Sequence, residues 1–299
     1  MNSFKTVLVP VDFSEPSRKA LDCGIGVAVR LSAKLVVAHI VPESDLLAAF
    51  PVESSVMETK QREEALHAIQ ALVPEQLVKQ LDLKIIVRTG RVEEDLLKIV
   101  NEQSVDLIVM GSHGRRLFRR WFLGSVAEHL LRQVPVPILT MSHIEQDPHP
   151  FGAGILSFYR ILFATDLGES SAVGMKYATE LAQTFSGQLT VMTVVEYLNL
   201  SYEVASYLAE ERAQRLQATQ AQLNAFVDRE KPKGMDVKTL VADGKAYEQV
   251  LTAAQKLNAD CILLTLQSRG LLERAFLGST AERVVRLSPI PVLSIPFVA

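Results

Sequence analysis

The sequence predicts two tandem α/β domains, each an open five-stranded parallel sheet covered by helices. Three observations carry this: the chain repeats itself at a fixed offset, each half alternates β-rich apolar runs with segments of helical period, and residues that break regular structure collect at its middle. A shift of 154 residues carries Asp12 onto Asp166, Gly90 onto Gly244 and the run Phe122 to Ser125 onto Phe276 to Ser279. It also carries Arg132 onto Arg286 and Pro137 onto Pro291, so the match persists to the end of each half. A repeat on this scale fixes the organisation before any element is read.

In the first half, apolar β-rich runs at about 4–11, 35–41, 83–88, 106–110 and 137–142 alternate with helical patterns near 15–32, 54–80, 92–103 and 125–133. Strand–helix alternation calls for parallel strands joined by right-handed crossovers. Ser14 is placed to cap the first helix, with Glu15 in its first turn, and Ser125 to cap the one at 125–133. The second half repeats the order, with strands near 159–164, 189–195, 236–241, 260–265 and 291–296. From His143 to Gly154 the chain gathers Pro148, Pro150, Gly152 and Gly154, which puts the boundary between domains at 1–145 and 155–299.

Composition excludes several classes. The chain has 299 residues, 48% of them apolar, enough for two ordinary cores. Its 31 basic and 34 acidic residues give a net charge of −3, which offers no field for a nucleic-acid backbone. The two cysteines, Cys23 and Cys261, form no CxxC motif and no disulfide framework, which fits a reducing cytoplasm. The N-terminal run Lys5 to Val11 is too short for a membrane span and lacks a cleavage site, and reads as a first strand. No membrane partner is expected.

In open parallel sheets, ligands bind beyond the carboxyl ends of the strands. After the fourth strand the chain reads Met110-Gly111-Ser112-His113-Gly114, then nine residues, then Gly124-Ser125-Val126 opening a helix. Glycines let a backbone approach a polyanion, and a helix N-terminus offers unpaired N–H groups. The spacing alone also fits a plain turn followed by a capped helix. Asp12, taken without the glycine loop, reads as an ordinary strand-end or helix-capping carboxylate.

The loop, with Met before it and Ser-His between its first glycines, resembles the ATP-binding loop of universal stress proteins, and the resemblance spans both halves. It implies a Rossmann-like, adenine-nucleotide-hydrolase-like sheet ordered 3-2-1-4-5, with the first and fourth strands side by side. It implies that Asp12, closing Pro10-Val11-Asp12, holds ribose, and that Ile40, after the His39 usual in the family, offers its backbone to adenine. Pro10 and Val11 would line the adenine slot beside Ile40. Gly111, Gly114, Gly124 and Ser125 would cradle the phosphates, with Mg2+ accompanying the triphosphate; Met110 and Val126 would belong to the same nucleotide site, and His113 either to it or to the loop as a hydrogen-bonded residue. In this family last strands pair between domains, which implies a pseudo-dimer within one chain and leaves open a homodimer; Pro135 and Pro137 suit such an edge.

The second half departs from this pattern. Asp166, Val194, Gly278, Ser279 and Thr280 occupy the matching positions as a second candidate site, but Thr265 and Ser268 replace Gly111 and Gly114, and Thr193 replaces His39. Such side chains are expected to block the backbone approach a phosphate turn needs.

Other constellations carry less. Gly24 and Gly26 fall inside a helical pattern and read as helix packing rather than a dinucleotide fingerprint. The loop has no Gly-Lys-Ser/Thr, the six histidines form no HExxH, and His143, Asp147 and His149 read as a solvated linker. Arg115, Arg116, Arg119 and Arg120 with Trp121 are either a solvent-facing loop or a draw for phosphates. No catalytic set is identified. The reading is an ATP-binding stress-response protein whose first domain acts as a nucleotide-occupancy switch toward an unidentified protein partner. The alternatives are a slow ATP hydrolase using His113, and a scaffold that binds no nucleotide.

Overall fold

The computed structural model describes residues 4–43, 51–112, 123–141, 158–196, 209–268 and 278–298. The chain divides into two units, Met1–Leu156 and Ser157–Ala299.

In the first unit, strands β1 (Thr6–Pro10), β2 (Lys34–Pro42), β3 (Leu83–Gly90), β4 (Leu107–Gly111) and β5 (Ile138–Met141) alternate with helices α1 (Glu15–Leu31), α2 (Pro51–Leu72), α3 (Glu75–Val78), α4 (Val92–Glu102) and α5 (Ser125–Gln133). The strands pair in parallel in the order β3-β2-β1-β4-β5. Central strands of such a sheet are covered on both faces and therefore read as unbroken apolar runs. Val7, Leu8, Val9, Leu35, Val36, Val37, Ile108 and Val109 accordingly have no exposed surface.

The helical pattern at 54–80 resolves into two helices because Pro74 stands before α3 and supplies its N-cap. Gly24 lies within α1, where an added Cβ would sit 2.4 Å from a Val9 methyl, so a glycine is what lets the helix lie on the sheet. Ser14 caps α1 and accepts from the Ser17 amide. The expectation for Ser125 is corrected: Gly124 is the cap residue of α5, no side chain bonds to that end, and Ser125 is the first helical residue.

The second unit repeats the plan. Strands β6 (Arg160–Ala164), β7 (Gln188–Val195), β8 (Val237–Asp243), β9 (Cys261–Ser268) and β10 (Val292–Val298) pair in parallel in the order β8-β7-β6-β9-β10. Helices α6 (Ser171–Thr184), α7 (Ala209–Glu230), α8 (Ala246–Lys256) and α9 (Ser279–Leu287) accompany them. One polar device recurs at the repeat offset. Asp106 accepts from the amides of Lys5 and Thr6, as Asp260 accepts from that of Arg160, and each ties the start of a central strand to the strand beside it. Among the described residues no helix is long and apolar enough to cross a membrane.

Candidate functional site

The site of the first unit forms where β1 and β4 part at their carboxyl ends. β1 pairs with β2 only as far as Pro10 opposite Ala38, while β2 continues against β3 to Pro42 opposite Gly90. The Val11 amide makes the last bond, to the Ala38 carbonyl. Alternate residues of a strand present their polar groups to the same side, so Ile40 turns its backbone toward the space that β1 has left. A cavity of about 480 Å³ opens there, a size suited to a nucleotide-sized molecule.

Pro10, Val11, Asp12, Ile40, Met110, Gly111, Gly124, Ser125 and Val126 all line this cavity. His113 and Gly114, with the arginine cluster, lie outside the described residues. The Gly124 amide donates to the Ser112 carbonyl at 2.8 Å, so the chain returns at Gly124 to the point it left after β4.

Asp12 belongs to a small network. Its Oδ1 accepts from the Ser14 amide at 3.0 Å and from the Ser14 hydroxyl, while its own amide donates to Ser17 Oγ. Ser17 Oγ in turn donates to the Ser14 carbonyl. Asp12 therefore both braces the cap of α1 and faces the cavity. The turn is held by Phe13 in the left-handed region at φ 65°, its ring 4.8 Å from that of His39. His39 Nδ1 lies 2.6 Å from the Val11 carbonyl oxygen and fastens β2 to this turn.

The sequence reading missed one wall. Val92, Glu93 and Leu96 of α4 and Pro42 of β2 close the cavity opposite the glycines. Their signal was the acidic start of α4, visible in sequence but pointing nowhere until the crossover brings that helix end over β2. Both helix ends at the cavity lack side-chain caps. They differ in charge: in the first turn of α4, Glu94 pairs with Arg91 and Asp95 with Lys98, which leaves Glu93, whereas that of α5 carries only Glu128, held by Arg132 at 2.6 Å. An anion is favoured at α5 and repelled at α4.

Gly111 has a second reason to be glycine. A Cβ there would lie 2.8 Å from Pro16 Cβ and 3.0 Å from the Pro16 carbonyl carbon, pointing into α1 and not into the cavity. The second unit corrects the expectation that Thr265 obstructs its cleft. Thr265 Oγ1 sits 2.8 Å from the hydroxyl of buried Ser170, the counterpart of Pro16, and its methyl lies against Gly174, where a Cβ would be 2.6 Å away. Thr165 Oγ1 donates to Ser171 Oγ at 2.6 Å beside them. The two repeats thus differ at this position together with its helix partners, and the threonine side chain faces the helix.

The other second-unit candidates keep their places. Asp166 follows β6 and accepts from the Gly168 amide, Val194 lies in β7, and Gly278, Ser279 and Thr280 open α9. What differs is the far wall. Glu196, at the position of Pro42, accepts from the Ala246 amide at 2.7 Å and so occupies the N-terminus of α8. Tyr247, at the position of Glu93, donates to Glu248 and carries the Arg283 guanidinium 4.8 Å above its ring.

An open parallel sheet with a cavity at its switch point and a helix end without a side-chain cap beside it defines an α/β module with a candidate ligand cleft, here one half of a duplicated chain. The chain belongs to the universal stress protein family, whose model matches residues 3–141 and 157–296. It is 28% identical over 153 residues to Universal stress protein MJ0577 of Methanocaldococcus jannaschii, covering 46% of this chain and 94% of that one. With Universal stress protein Rv2319c of Mycobacterium tuberculosis it shares 28% identity over 210 residues, 69% of each chain. A universal stress protein from Archaeoglobus fulgidus has the same fold, with a TM-score of 0.68 at 22% identity over 97% of this chain and 98% of that one.

Proposed function

We propose that the first unit binds an adenine nucleotide and that occupancy of this site is the regulatory output of the protein, read by a protein partner. The observation that carries the reading is convergence. Residues from β1, β2, β4 and α5, far apart in sequence, wall one 480 Å³ cavity whose ends differ in character. The phosphates belong beside Gly124 at the start of α5, where an end with no side-chain cap at Ser125 and Val126 and the helix dipole favour negative charge. The base belongs between Ile40, Pro42 and Leu96, and the ribose beside Asp12.

Among the lining residues only Asp12 and Glu93 are carboxylates, and no group of three His, Cys, Asp or Glu converges among the described residues. A Mg2+ ion fits this site as a passenger on the phosphates rather than in a protein cage, with Asp12 a lining carboxylate that could assist.

Gly124 adopts φ −64° and ψ 143°, which any residue can take, so its backbone conformation does not call for glycine; on this reading the glycine leaves room for close approach of a ligand. The test is to denature the purified protein, identify released nucleotide by mass spectrometry, and titrate the emptied protein with ATP by calorimetry. About one ATP per chain, lost in Gly124→Val, is expected. No carried nucleotide and no binding heat would leave a scaffold.

A further inference from the structure

We propose that Glu93 is the residue that selects the base: its carboxylate accepts a hydrogen bond from the exocyclic amine of a 6-aminopurine and so discriminates against 6-oxopurines. The inference rests on the nucleotide reading above and gives it a specificity element.

Glu93 stands out among its neighbours. Of the three acids in the first turn of α4, Glu94 pairs with Arg91 at 3.0 Å and Asp95 with Lys98 at 3.0 Å. Glu93 has no hydrogen bond or ion pair among the described residues, and it alone of the three lines the cavity. Among the other polar side chains that line the cavity, three are engaged in holding the turn after β1: Asp12 with Ser14, Ser17 with the Ser14 carbonyl, His39 with the Val11 carbonyl. Ser125 stands at the anion-favouring end. The acid end of α4 disfavours phosphate, and the part of a nucleotide that can sit there and present a donor is the base.

An ionised carboxylate only accepts. Against the amine of adenine it finds a donor; against the carbonyl at the same position of hypoxanthine or guanine it sets lone pairs against lone pairs in a partly closed site. Discrimination by a mismatched polar group is stronger than discrimination by shape. The second unit places Tyr247 at this position, already bonded to Glu248 and covered by Arg283, so the unpaired acid is a property of the first unit.

The experiment titrates the full-length protein and its Glu93→Gln and Glu93→Leu variants with ATP and with inosine triphosphate. The expected wild-type preference for ATP is about tenfold or more, the scale of one polar contact. Glu93→Leu should bring the two affinities within about twofold of each other. Glu93→Gln, whose amide can turn either edge to the base, should raise inosine triphosphate affinity while keeping ATP within a few-fold. Thermal melts unchanged from wild type verify folding. An ATP preference equal in all three proteins overturns the role of Glu93 while leaving nucleotide binding intact; wild-type protein that binds neither nucleotide overturns both.

Discussion

Cys261 shows at the scale of one residue how burial sets chemistry. The thiol is fully buried in β9, and burial pushes its pKa from 9.0 up to about 12, only partly opposed by a backbone hydrogen bond. The folded protein therefore keeps this proton after the unfolded chain has released it. Stability from this group is fully present below pH 9 and declines as pH rises toward 12, by about 1.4 kcal/mol for each unit in that window. Urea titrations at several pH values between 8 and 11 should show a steeper alkaline loss for wild type than for Cys261→Ala, even though the variant starts less stable. Equal slopes would mean the thiol is open to solvent. His39 makes a related point: the sequence marked it as a family feature, but its contacts with Val11 and Phe13 show that it acts on the turn carrying Asp12.

At the scale of elements, the packing of a strand end against a helix start governs whether the residue after β4 can have a side chain. Pro16 against Gly111, and Ser170 with Gly174 against Thr265, are two solutions to one contact. Gly111→Thr in the first unit should cost about 1–3 kcal/mol through overpacking against Pro16 and Ala20. Adding Pro16→Ser and Ala20→Gly should return much of that loss, and denaturant melts of the single, double and triple variants measure the coupling. Additive losses would show that the second unit relieves the contact some other way. Because Thr265 faces α6, Thr265→Gly alone should not create nucleotide binding in the second unit, which calorimetry on the Gly124→Val background checks directly.

At the scale of the whole molecule, duplication has left two copies of one fold with different cleft walls. If ATP occupies the first unit, hydrogen exchange with saturating ATP should slow in the turn after β1, the end of β2 and the first turns of α4 and α5. Exchange in the second unit's matching segments should stay as it was. Protection of both sets would assign a ligand role to the second cleft despite Glu196 and Tyr247.

The fold was legible in the sequence because duplication shows at a fixed offset and buried parallel strands must be apolar throughout. The glycine loop and Asp12 were legible because short local patterns carry them. The wall made by α4 was not, since Glu93 is separated from Ile40 and Gly124 by long stretches of chain and meets them only through the crossover. Nor was the direction of the Thr265 side chain, which depends on what α6 places opposite it. By itself the sequence determined the duplicated α/β plan, the strand order through family likeness, and the strand ends at which a ligand would be sought, because periodicity and turn chemistry are local. Only the tertiary structure decided which helix ends meet in one cavity, which acid lies unpaired there and which glycine answers to packing, because these follow from distances between elements that no local pattern encodes.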